Sequence, residues 1–115
     1  NGIGPVLEAR DVMKVLRCRE DAPQDLREKA LFMAGKVLEF DPQLRGGQGY
    51  YQARDILDSG RALEVMSQIV HAQGKQTPPP LGQLTRDITA ETSGVVAEID
   101  GQILNRIAMT AGARR

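Results

Sequence analysis

The sequence has few of the residues from which catalytic sites are most often built. It contains a single cysteine, Cys18, and a single histidine, His71. One cysteine excludes an internal disulfide, and one histidine excludes a histidine-based triad or a multi-histidine metal site within one chain. We interpret Cys18, which lies between Arg17 and Arg19, as a solvated thiol, and His71 as a surface residue at a helix C-terminus,.

Aromatic residues and net charge are also scarce. The chain has no tryptophan, two tyrosines and two phenylalanines, and its 15 basic residues balance its 15 acidic residues. A nucleic-acid binder needs a surplus of Lys and Arg on one face, and a single-strand binder also needs aromatic stacking platforms. Nothing resembles a signal peptide or a membrane span. We therefore expect a cytoplasmic protein with neither a nucleic acid nor a membrane as partner.

Helical spacing of apolar residues predicts four helices in the first part of the chain. The first covers about residues 5–17 and follows a glycine-rich turn, and the second opens at Pro23 and ends at Asp41,. The second helix carries an apolar stripe that covers about half of its circumference, and a stripe so wide indicates burial among several neighbours. Its members are Leu26, Ala30, Met33, Val37 and Phe40, widened by Leu31, Ala34 and Leu38.

Two shorter helices are expected to follow. The glycine cluster at 46–49 predicts a mobile loop before a short third helix that ends at 58–60. Ser59 is a candidate cap for the fourth helix, and Gly74 is its left-handed stop,.

The character of the sequence changes at residues 76–80, where three consecutive prolines favour an extended connector,. Beyond it, residues 84–89 and 94–99 predict two strands, and Asp100 is expected to cap a last helix that stops at Gly112. The predicted fold class is therefore α+β, with four helices, a short β-hairpin and a final helix. We divide the chain into a helical part (1–75), a Pro-rich linker (76–83) and a mixed α and β part (84–115).

The glycine-rich turn at residues 2–4 runs directly into the start of the first helix. A helix start exposes unpaired N–H groups that can hold an anion, although most such starts are simply capped or hydrated. Binding of phosphate or a nucleotide at this turn is therefore a candidate function.

Four stretches resemble, in the same order, the family of thymidine phosphorylases and AMP phosphorylases. They are GIGPVLEARD at 2–11, ILDSGRALE at 56–64, AQG at 72–74 and ETSGVVAEID at 91–100. The resemblance covers nearly all of the chain, and the variant Ile3-Gly4-Pro5 is closer to the AMP phosphorylase-like branch. The matched region is an interior piece of a much longer enzyme.

The resemblance implies a parent enzyme that cleaves the N-glycosidic bond of a nucleoside with phosphate as co-substrate. The products are a free base and a sugar 1-phosphate. The family's phosphate loop and its base-reading and acidic residues lie before the matched region, so no catalytic or substrate-binding residue carries over. We expect the chain to be inactive by itself, to be a monomer, and to have as its partner the rest of a phosphorylase that forms a homodimer.

One possible metal site carries over from the resemblance. Related enzymes hold a potassium ion with main-chain carbonyls and one acidic side chain. The acid falls on Asp11 here, and Gly2 falls at a carbonyl position. The alternative is that Asp11 is an exposed first-turn carboxylate favoured by the helix dipole. No other cofactor is expected.

The competing functional hypothesis is a stand-alone helical module that binds a protein partner through an apolar groove. The length of the open reading frame separates the two, because a frame of several hundred residues with an upstream phosphate loop supports the enzyme.

Overall fold

A computed structural model describes residues 2–74, 77 and 79–113, and in this part of the chain all regular structure is helical. The helices are α1 (Pro5–Leu16), α2 (Gln24–Leu38), α3 (Gln48–Asp58), α4 (Arg61–Ala72) and α5 (Gly101–Thr110), with a short 3-10 turn at Pro42–Leu44. The helices predicted from apolar spacing are therefore confirmed.

The closest contact between helices is the crossing of α2 and α3, and it depends on two glycines. A Cβ atom at Gly35 would lie 2.7 Å from the backbone N and Cα of Tyr50, and one at Gly49 would overlap the Gly35 carbonyl oxygen. Only residues without a side chain allow the two backbones to approach this closely. Gly35 therefore marks a close helix crossing.

A small core forms where α1 to α4 meet. Its buried apolar members are Val15, Ala22, Leu31, Ala53 and Leu57. The Tyr50 side chain packs against this cluster and helps to anchor α3, whereas Tyr51 is 51% exposed. Most large apolar side chains lie outside this core.

The wide stripe on α2 is only partly buried. Leu31 is 3% exposed, but Met33, Val37 and Phe40 are 58%, 63% and 83% exposed. The burial expected from the sequence is therefore wrong for these three residues within this chain. Nothing in the described part of α1, α3 or α4 covers them.

The prediction of an α+β fold with a β-hairpin is wrong. Residues 84–89 and 94–99 form no strand, and Leu84 and Val95 are 98% and 96% exposed. Backbone groups in a strand need a neighbouring ladder, and an isolated hairpin is marginal even when it can pair. The described residues form an all-α structure, and residues 79–99 before α5 contain neither helix nor strand.

Helix ends agree with the sequence in two cases and differ in one. The Asp100 carboxylate accepts hydrogen bonds from the backbone N–H groups of Gln102 and Ile103, so it caps α5 as predicted. Gly74 has the predicted positive φ, 83°. The N-cap of α4, however, is Gly60 and not Ser59, whose hydroxyl donates to the carbonyl of Ile56 in the preceding helix.

Two further sequence predictions concern the glycine cluster at 46–49 and the Pro-rich linker. The predicted loop at 46–49 is shorter than expected, because α3 already begins at Gln48. Gln76 and Pro78 of the linker lie outside the described residues. The division of the chain at residues 75 and 83 stays a prediction.

Candidate functional site

The glycine turn and Asp11 are joined by a hydrogen bond at the start of α1. The backbone N–H of Gly2 donates to Asp11 Oδ2 at 2.7 Å. Asp11 is 8% exposed and lies in the second turn of the helix. The interpretation of Asp11 as an exposed first-turn carboxylate is therefore wrong, because the turn folds back over its side chain.

A second carboxylate, that of Glu8, also accepts a hydrogen bond from this turn. Glu8 Oε1 accepts a hydrogen bond from the Gly4 N–H at 2.9 Å, and Gly4 has a φ of 100°, which glycine adopts readily,. Gly2 allows no side chain, since a Cβ there would overlap Leu7. The glycines serve a tight turn, and the two acids satisfy N–H groups that precede the helix.

This arrangement leaves few oxygen ligands for a cation. One Asp11 oxygen already accepts from Gly2, and the described residues contain no cluster of three or more His, Cys, Asp or Glu side chains suited to a metal. Hard cations need a shell of several oxygens. These side chains alone do not fit a potassium ion, and the site at Gly2 and Asp11 stays a prediction.

The turn is equally poorly suited to an anion. Both carboxylates face its N–H groups and accept their hydrogen bonds, so an approaching phosphate would meet negative charge,. Ala113, three residues beyond the end of α5, also approaches here, because a Cβ at Gly4 would lie 2.6 Å from the Ala113 Cβ. The geometry therefore offers no open anion cradle at residues 2–4.

Cys18 and His71 lie apart from this turn. Cys18 is exposed, with a φ of 49°, and its Sγ lies 3.7 Å from the Leu57 carbonyl oxygen. Arg19, one of its two basic neighbours in the sequence, pairs with Asp21 at 2.7 Å. His71 is exposed in the last turn of α4, as predicted. Neither residue joins a catalytic group.

A polar network that the sequence did not indicate ties α2 to α3. Arg27 donates to Asp58 at 2.6 Å and pairs with Glu28, which accepts from the Tyr50 hydroxyl at 2.7 Å. The hydrogen bond to Glu28 raises the pKa of Tyr50, and the bond to Asp58 raises the pKa of Arg27. These residues are 31 and 22 positions apart, so no local motif could have signalled the contact.

Residues from α1 to α4 form an apolar groove of about 470 Å³. Every side chain that lines the groove is aliphatic. They include Val12, Leu16, Ala30, Ala34, Val37 and Ile56. Val12 and Val37 are 36% and 63% exposed, so the groove opens to solvent. With no polar group to orient a ligand, this apolar groove suits packing against another apolar surface better than catalysis.

No helix in the described residues has the length and apolar character needed to cross a bilayer.

Comparison with known proteins supports the resemblance read from the four stretches. The chain is 58% identical to proteins of Albidiferax ferrireducens and Bradyrhizobium diazoefficiens and 57% identical to one of Rhodopseudomonas palustris. Each match covers 98% of this chain and 22% of the relative, and each relative is named "putative thymidine phosphorylase". No family model and no solved structure gives a significant match.

The chain thus spans about one fifth of the length of the curated relatives it matches, and identity at this level over almost all of its residues indicates common descent. By its sequence, this chain corresponds to a segment of the family of proteins named putative thymidine phosphorylase.

Proposed function

We propose that the chain is a bracing segment of a nucleoside phosphorylase, a pentosyltransferase. In the parent reaction, an oxygen of inorganic phosphate forms a bond to C1′ of the sugar as the bond from C1′ to the base nitrogen breaks. The leaving base takes up a proton, and the products are the free base and the sugar 1-phosphate. The observation that carries this proposal is the 58% identity over 98% of the chain.

The chain's own part in this reaction is proposed to be mechanical. Its helices are tied together by the tight α2–α3 crossing and by the Arg27–Asp58 ion pair, which gives a firm support. Catalysis of phosphorolysis needs phosphate, sugar and base to be held in one prepared electrostatic site. Among the described residues we find no group of polar side chains arranged in that way, so the chain alone is proposed to be inactive.

The substrate and the ion are finer proposals. Thymidine is the first candidate because of the relatives' names, and the Ile3-Gly4-Pro5 variant keeps AMP as the second candidate. If main-chain carbonyls complete the shell around Asp11, potassium should raise the thermal stability of the parent above that in tetramethylammonium chloride of equal ionic strength.

A nucleoside panel tests the proposed activity. The full-length relative of A. ferrireducens is incubated with phosphate and thymidine, uridine or AMP, and the free base is measured by chromatography. Release of base that depends on phosphate is expected for at least one substrate. Hydrolysis that proceeds equally without phosphate, or no release from any of them, would refute a phosphorylase.

A further inference from the structure

The four-helix part of the chain has an apolar surface that its own residues do not cover. The apolar groove continues along α2 into the exposed side chains of Met33, Val37 and Phe40. Val37 belongs to both features, so the groove and this stripe form one continuous surface. The small residues Ala30 and Ala34 line this surface, and they permit a neighbouring backbone or side chain to approach α2 closely,.

The exposed surface of the chain is larger than that of a compact domain of its size. The accessible surface of the chain is 10070 Å², whereas a compact monomer of 12.6 kDa exposes about 6,200 Å²,. The radius of gyration, 17.5 Å, also exceeds the value of about 13 Å expected for a compact domain of this length,. Residues 79–100, all of them exposed, account for part of this excess, and the uncovered apolar side chains of α2 add to it.

The relatives indicate what covers the surface. They align with 98% of this chain at 58% identity, yet about four fifths of their length has no counterpart in it. In these relatives, the matching segment folds in the presence of that additional polypeptide. Obligate interfaces resemble a domain core cut in half, and the purely aliphatic lining of the groove matches that description,.

We propose that the apolar groove and the adjoining stripe of α2 are the seat for an apolar face of the parent polypeptide outside these 115 residues. This inference rests on the function proposed above and names the surface through which the segment braces the enzyme. The opposite side of α2, which bears Phe32, stays in solvent. Phe32 is 59% exposed in the chain, close to the 63% of Val37, and therefore provides a matched control.

Thiol labelling tests this proposal. Val37→Cys and Phe32→Cys are made separately in a Cys18→Ser background, and cysteines are placed at the aligned positions of the full-length A. ferrireducens relative with its native cysteines replaced. Modification by N-ethylmaleimide is followed by mass spectrometry. Circular dichroism checks that each variant folds, and Ala34→Cys in the groove provides a second probe.

We expect both positions to react at similar rates in the 115-residue chain. In the full-length protein, labelling at position 37 should slow by about tenfold or more, while labelling at position 32 should change by less than about threefold, because only accessible thiols react. Equal rates at position 37 in the two proteins would overturn the proposal. Equal protection of both positions would also overturn it, because the protection would then not be specific to the groove side of α2.

Two further outcomes are separable. If position 37 is already protected in the 115-residue chain, and more so at higher concentration, the occupant is a second copy and the proposal is wrong. If the full-length protein protects position 37 but releases no base from any nucleoside, the proposed function fails and this interface stands.

Discussion

The crossing of α2 and α3 gives the most quantitative prediction, because its two glycines are in contact with backbone atoms. In Gly35→Ala, the new Cβ would lie 2.7 Å from the N and Cα atoms of Tyr50, which cannot rotate away as a side chain can. Replacing a helical glycine with alanine gains about 0.5–1 kcal/mol, whereas overpacking costs about 1–3 kcal/mol. The upper half of that range, about 2–3 kcal/mol, applies here because the backbones themselves must separate, so we expect a net loss of about 1–2.5 kcal/mol.

Urea unfolding followed by circular dichroism at 222 nm measures this loss. With a denaturant dependence of about 1–2 kcal/mol per molar for a small domain, the midpoint should fall by about 1 M. Gly101→Ala is the matched control, since it also adds a methyl group to a helix but has no atom within 4 Å of the new Cβ. A Gly35→Ala variant as stable as the parent chain would refute the argument that this crossing depends on the missing side chain.

Two other substitutions test the core and the turn, and one titration tests an ion pair. Leu31→Ala should lower the free energy of unfolding by about 2–5 kcal/mol, measured by urea titration, because Leu31 is 3% exposed; a loss below about 1 kcal/mol would contradict its place in the core,. Asp11→Ala should cost about 1–3 kcal/mol and lower the melting temperature, because it leaves a part-buried N–H without its acceptor; an unchanged melting temperature would show that water replaces the carboxylate,. Hydrogen bonds from Lys14 and Arg19 lower the pKa of Asp21 from 3.8 to about 2. Its stabilising effect is therefore complete above pH 4 and is lost as the pH falls through 2, and carbon-13 NMR titration of this carboxyl group should give the lowered value, whereas a midpoint near 3.8 would contradict the pairing,.

The helices could be predicted from the sequence because their signals are local. Pro5 at the start of α1, the Asp100 cap of α5 and the left-handed glycine at Gly74 each act within one helical turn. The α4 cap was missed because Ser59 and Gly60 are both suitable residues by type. The backbone decides between them: Gly60 takes a positive φ of 81°, which leaves Ser59 as the C-cap of α3.

The strands were predicted wrongly because a strand is not a local property. Residues 84–89 and 94–99 have the composition of strands, but Val95 and Ile88 are 96% and 88% exposed, with no neighbouring strand in the described residues to pair with them. Composition reports only that a segment suits a half-buried sheet surface, and other parts of a chain must supply that surface.

The candidate site was predictable only in part. The resemblance assigns Gly2 and Asp11 to one site, and the structure joins them by a hydrogen bond from the Gly2 N–H, which does not test the ion. The apolar groove was not located in advance. The wide stripe on α2 was the available signal for it. That stripe predicts burial, but Met33, Val37 and Phe40 are exposed in this chain.

The central claim is that these residues support a phosphorylase without carrying its chemistry, and release of thymine from thymidine tests it most directly. The purified 115-residue chain and the full-length A. ferrireducens relative are compared at equal molar concentration with phosphate. We expect phosphate-dependent thymine release from the full-length protein and only the background rate from the chain. Thymine release by the chain alone above that background would contradict the claim.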